Sequence, residues 1–300
     1  MQQSVLNKIQ GGLAGMYISQ QVRLAMVEQS ANSDELRKQE RETFKSYALL
    51  AEASMESLTH CGGLKLEDWL TTTSRLTTPD RLPIAIVPLA MYLQEDLPQL
   101  QQTLRLIGRR NELDPENTST LVFLGTMIAF LLNERAPLDQ LIPAVLETLP
   151  SRKDALSEQL LSIQEYLDLP ADGSPTPTSI TELIAKIALS NQSYLLPAAM
   201  ATYCFLSTPH SLQMAVQRAA QIPGQPSLTL AITGVFVGTY RGLSCIPTSW
   251  YANGSRGADQ LIQSADRLMA TWAGAYQPVV GSFSVANAIA ATAVMQNSRT

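Results

Sequence analysis

Reactive nitrogen and sulfur are scarce in this chain: two histidines and three cysteines in 300 residues. A zinc site needs several such ligands close together in space, and ligands this few and this scattered argue against one. His60 directly precedes Cys61, and sequence neighbours point apart on a helix or a strand, so the two do not make a nucleophile–base pair. His210 follows Thr208-Pro209 at an expected helix start, and helix capping accounts for it. Cys61, Cys204 and Cys245 are odd in number and widely spaced, which argues against a disulfide framework. They read as reduced thiols in a cytoplasmic protein.

Charge is sparse as well. Only 16% of residues are charged and the net charge is −5, so no global field favours nucleic acid. The basic pairs Arg109-Arg110 and Arg152-Lys153 are isolated and read as solvated helix faces. No apolar run reaches the roughly 18 residues of a membrane span. The start, Met1-Gln2-Gln3-Ser4-Val5, lacks a signal-peptide core, which again points to the cytoplasm. The alternating β-branched pattern of strands is almost missing, which leaves helices.

What is present is apolar material: 45% of the residues, enough for a deep core. Apolar residues recur at three and four, and the spacing predicts an all-α fold, a compact single-domain multi-helix bundle packed around a central buried helix. Helices are expected over 5–28, 43–59, 97–109, 116–133, 138–149 and 152–167, with a short one from Leu66. Others are expected over 180–190, 193–206 and 210–222, and a last pair over 257–275. Asn32-Ser33-Asp34 can cap a helix, Gly62-Gly63 can stop one, and Pro79, Pro83 and Pro88 punctuate the chain between. Residues 168–179, with Asp-Gly and three prolines, are the clearest loop. The domain is taken as 1–276. Residues 277–300 are an almost uncharged extension that reads as a final core helix, with a docking helix for a partner as the alternative.

The segment from Gly224 to Gly242 stands out. Its helix carries glycines at 234, 238 and 242, a ridge suited to close helix contact, while its first turn holds no carboxylate. Beyond it stands Ile246-Pro247-Thr248-Ser249-Trp250. This pattern resembles the ADP-ribosylglycohydrolase family, in which Gly-Gly-Asp-Thr-Asp-Thr leads into a glycine-spaced helix and then Ile-Pro-x-x-Trp. Three further segments resemble the same family in the same order. Lys8 to Arg23 keeps the packing glycines 11, 12 and 15 of its opening helix but has Ser19-Gln20 for Gly-Asp. Thr43-Phe44-Lys45-Ser46, before Ala48-Leu49-Leu50-Ala51-Glu52, takes the place of Thr-Asp-Asp-Thr. Pro79 to Leu89 keeps the Pro-Leu end of a third motif and not its glycine-rich loop.

The resemblance implies the family's fold and its usual chemistry, in which two magnesium ions held by aspartates and a Thr position ADP-ribose. Mg²⁺ needs hard, mostly anionic oxygens. Gln20, Phe44, Gln225 and Ser227 stand where those carboxylates would, and Lys45 adds a repelling cation. No Asp-Asp pair occurs anywhere in the sequence. The expectation is a catalytically inactive member with no cofactor, no metal ligand and no catalytic residue. Its degenerate pocket is made of Gln20, Phe44, Lys45, Ser46, Gln225 and Ser227. It would act as a binding or assembly module toward a protein partner or a second copy. One alternative is a metal-independent binder of an ADP-ribose-like nucleotide, with Lys45 and the backbone at Ser227 meeting phosphates. Another is an active hydrolase using ligands that do not match the motifs. Glu52 and Glu56, one turn apart, read as a solvated acidic pair; if the pocket stays open, Glu52 would be the nearest surviving acid to Lys45 in it. Gly11, Gly12 and Gly15 follow no strand and precede no Lys-Ser/Thr, so they are packing glycines and not a phosphate loop.

Overall fold

Side-chain oxygens mark where helices begin in this chain. Ser33 accepts from Leu36 N at 3.4 Å, Asp96 from Gln99 N at 2.9 Å and Asp114 from Asn117 N at 2.7 Å. Asp154 accepts from Ser157 N at 2.9 Å and Ser211 from Met214 N at 3.3 Å. Each satisfies a backbone donor that the first turn of a helix leaves open. The computed structural model describes residues 3–30, 33–76, 78–149, 154–168, 194–222 and 226–275.

The helices run α1 (Val5–Ser30), α2 (Asp34–His60), α3 (Leu66–Ser74), α4 (Leu82–Tyr92), α5 (Leu97–Arg110) and α6 (Pro115–Asn133). They continue with α7 (Leu141–Thr148), α8 (Ala155–Leu167), α9 (Leu195–Ser207), α10 (Leu212–Ala219), α11 (Pro226–Arg241) and α12 (Thr248–Trp272). No strand occurs among the described residues, and none of their helices is long and apolar enough to cross a membrane. The all-α expectation holds.

Several boundaries differ from the sequence reading, each for a local reason. The polar run after α1 is helical from Asp34, because Ser33 caps it, so α2 starts nine residues before Thr43. Gly62, at φ 64°, and Gly63, whose N–H bonds Leu58 O at 2.9 Å, end it as expected. The prolines of 79–89 do not break the chain up. Pro83 sits in the first turn of α4, where a missing N–H is harmless, and Pro88 lies inside the helix. Burial of every residue from Leu82 to Met91 offsets the lost bond. The expected helix over 138–149 splits into a 3-10 turn at Leu138–Gln140 followed by α7. His210 is not a cap; Ser211 takes that role, and the His210 ring lies 6.1 Å from Tyr240. The expected pair over 257–275 is one helix, α12, starting directly after Pro247, with Ala258, Leu261, Ala265, Leu268 and Met269 as its buried stripe. The segments 180–190 and 277–300 lie outside the described residues, as does all of 168–179 except Asp168.

The core has more than one central helix. α4, the greater part of α6 from Thr120 to Leu132, and α11 from Leu228 to Thr239 are buried on all sides. Phe123, Phe205 and Phe236 are fully buried among them, each such ring contributing roughly 1.5–3 kcal/mol by leaving water.

α1 crosses α11 with almost nothing between the backbones. A Cβ at Gly11 would strike the carbonyl of Gly238, one at Gly15 that of Gly234, and one at Gly238 that of Gly11. The glycine ridge is therefore a two-sided seam. At its start, buried Lys8 reaches the end of α6: its Nζ donates to Leu131 O at 3.2 Å, Leu132 O at 3.1 Å and Glu134 Oε1 at 2.6 Å. The cation sits at the negative end of the α6 dipole and covers carbonyls that the helix leaves open.

Candidate functional site

The seam between α1, α2 and the first turn of α11 gathers three of the residues expected in the degenerate pocket, Gln20, Phe44 and Ser227. Gln20, 2% exposed, donates from Nε2 to the carbonyl of Ser227. The Ser227 hydroxyl donates to Glu40 Oε2 at 2.5 Å. Glu40 accepts on its other oxygen from Arg23 Nε at 3.3 Å and Nη2 at 3.2 Å. Gln20 and Arg23 lie one turn apart on α1, so both reach this junction.

Spacing on α2 explains the next contact. Phe44 is one turn beyond Glu40, on the same side, and its ring lies 4.9 Å from Tyr17, one turn before Gln20. The Tyr17 hydroxyl abuts α12 where Gly257 leaves room: a Cβ at 257 would collide with it. Burial, and then the charge of Glu52, push the Tyr17 hydroxyl up from its ordinary pKa. The Glu52 carboxyl is raised by burial, with Arg267 opposing and Glu56 adding to the shift. Glu52, Glu56 and Arg267 line one cleft between α2 and α12, so this acidic pair is not simply a solvated face.

Lys45 is exposed on α2 and does not join Gln20 and Ser227. Ser46 bonds back to Thr43 O at 2.7 Å within its own helix. Gln225 lies outside the described residues. The structure thus brings Gln20, Phe44 and Ser227 to one seam and leaves Lys45 at the surface. It adds Tyr17, Arg23 and Glu40, which the motif comparison passed over. Arg23 and Tyr17 carried a signal in the sequence, since both sit three residues from Gln20. Glu40 carried a weaker one, four residues before Phe44.

The chemistry of this donor set does not suit a divalent cation. Its one carboxylate is already shared between a guanidinium and a hydroxyl, and the remaining groups are a neutral amide and a backbone carbonyl. Mg²⁺ dehydrates reluctantly and needs anionic oxygens to replace its waters, and the Arg23 cation would oppose it. Among the described residues no group of three or more His, Cys, Asp or Glu is placed to hold a metal ion.

Trp250, in the Ile-Pro-x-x-Trp segment, lines a shallow apolar groove with Ile18, Val22 and Met26 of α1. It therefore supports the opening helix beside the seam. The sequence finds no match among curated proteins. The profile of the family described as ADP-ribosylglycohydrolase matches residues 9–278, a span that takes in α1 from Ile9 onward, all of α2, α11 and α12, and Tyr17, Gln20, Arg23, Glu40, Phe44 and Ser227. The chain belongs to the ADP-ribosylglycohydrolase family.

Proposed function

We propose that this protein is a catalytically inactive family member that keeps the fold as a binding or assembly module. One observation carries the reading. Where the family holds metal ions with aspartates, this chain places a closed polar cross-link, Gln20 to Ser227 and Ser227 to Glu40 to Arg23. Glu40 supplies the negative charge at the start of α11 and Arg23 the positive charge beside it. An internal ion pair thus stands in for both ligand and metal. Every strong group in the cross-link is engaged by the protein itself, and none is left to polarise a glycosidic bond.

The nucleotide-binding alternative has less support from the same geometry. A phosphate approaching Ser227 would meet the Glu40 carboxylate. Lys45, the cation meant to receive it, faces solvent. Calorimetric titration of the full chain with Mg²⁺ and with ADP-ribose, alongside an assay on ADP-ribosyl-arginine, tests the proposal. We expect no micromolar binding of either and no turnover. Turnover, or Mg²⁺ binding in the micromolar range, would return the chain to the hydrolases. ADP-ribose binding without Mg²⁺ would favour the nucleotide binder.

A further inference from the structure

A second concave site lies away from the seam, lined by α5, α6 and the residues Leu149, just after α7, and Asp154, just before α8. None of these elements contributes to the Gln20–Glu40 cross-link. It encloses about 340 Å³, within the range of small-molecule sites, roughly 300–1,000 Å³. Its floor is apolar, built of Leu113, Val122 and Leu149. Thr118 of α6 packs against Gly108 of α5, where a Cβ would fall 2.6 Å from the Thr118 hydroxyl. That close approach draws the two helices together beneath the cavity.

The rim carries two guanidinium groups one turn apart on α5, Arg105 and Arg109. Arg105 donates only to the neutral Gln101 Oε1, at 3.2 Å, and Arg109 has no hydrogen bond or ion pair among the described residues. The one acid among the described lining residues, Asp154, is committed to Ser157, accepting from its N–H at 2.9 Å and its hydroxyl at 2.6 Å. The sequence pair Arg109-Arg110 is accordingly divided. Arg110 pairs with Glu67 of α3 at 2.8 Å, while Arg109 borders the cavity. An apolar floor beneath two cations that have no carboxylate partner among the described residues is complementary to one class of ligand.

We propose that this cavity binds a small amphipathic carboxylate, its head held by Arg105 and Arg109 and its hydrocarbon body lying on Leu113, Val122 and Leu149. Guanidinium groups suit the planar carboxylate, which can take two parallel hydrogen bonds. The site stands whether or not the family's own centre is retired.

Sodium octanoate is the probe, titrated calorimetrically into the full chain. We expect saturable one-to-one binding, weakened at least about tenfold in Arg109→Ala and further in the Arg105→Ala/Arg109→Ala pair. Arg109 is exposed and has no hydrogen bond or ion pair among the described residues, so its removal should leave the fold unperturbed. Arg110→Ala, which breaks only the pair to Glu67, should bind octanoate as the parent does. 1-Octanol, lacking the charge, should bind no tighter to the parent than octanoate binds to the double variant. Absence of saturable binding in the millimolar range overturns the proposal, and so does equal affinity in the double variant.

Discussion

Lys8 illustrates how little a residue's type reveals of its role. At 2% exposure it is a buried cation, and its three acceptors at the end of α6 account for that. Lys8→Met keeps the stem's volume but orphans the Leu131 and Leu132 carbonyls, and should cost about 1–3 kcal/mol in urea unfolding. Glu134→Gln should cost less, since that side chain is 48% exposed and the carbonyls keep their donor. Glu52 offers a test of opposite sign. Burial raises its carboxyl pKa, so the folded protein holds the proton more tightly than the unfolded chain. Stability is then lost as pH rises through the carboxylate range and beyond the folded value. Glu52→Gln should therefore gain stability relative to the parent at pH 7, with the gain fading as the pH falls below the ordinary carboxylate range. Thermal melts at both pH values measure this, and a gain larger in acid than at neutral pH would contradict the buried-carboxyl account.

At the level of elements, the α1–α11 seam depends on glycine for a different reason from the turn that ends α2. Gly238 has backbone where a Cβ would go. Gly62 has nothing within 4 Å and only its φ of 64° to protect it. Gly238→Ala should cost at least about 3 kcal/mol, the upper end for overpacking, since a backbone wall cannot rotate away. Gly62→Ala should cost about 1–2 kcal/mol, the strain of a left-handed alanine. Chemical denaturation of the two variants side by side separates a steric role from a conformational one. The ridge at 234, 238 and 242 was legible in the sequence because it repeats every fourth residue on one helix. The α4 helix was not, since three prolines argued for breaks. What overrides them is burial on all sides, which depends on neighbours as distant as α6. α12 escaped for a related reason: its stripe of small residues gave a weak periodic signal before Ala258, and the helix starts ten residues earlier.

For the whole molecule, the fold class, the cap at Ser33 and the family were legible because they are local or repeat a known order of motifs. The candidate site was legible only in part. Gln20 and Ser227 could be placed by motif, but the Glu40–Ser227 bond joins residues 187 apart in sequence, and no local pattern announces such a pairing. Lys45 went the other way, since its neighbour Phe44 takes the inward direction and leaves the lysine about 100° around the helix. Long-range pairings of this kind also dominate the architecture. α1 meets its closest companion, α11, only after nearly the full domain has intervened, and meets the end of α6 through Lys8 from a separation of 126 residues. High separation between partners slows folding, because chain entropy is lost before the contacts form.

The glycine seam also has a consequence in time. During synthesis α1 leaves the ribosome well before α11, the surface shaped to receive it, which is not complete until Arg241. At about 5–20 residues per second the interval between the two is roughly ten to forty seconds. Through that interval α1, whose buried face includes Ile9, Leu13, Met16 and Ile18, has no completed partner there. A chain truncated at residue 222 should accordingly show fast amide exchange across 5–30, and the full chain strong protection there. The nascent protein would then have α1 open to chaperones, and to other copies of itself, until α11 is made.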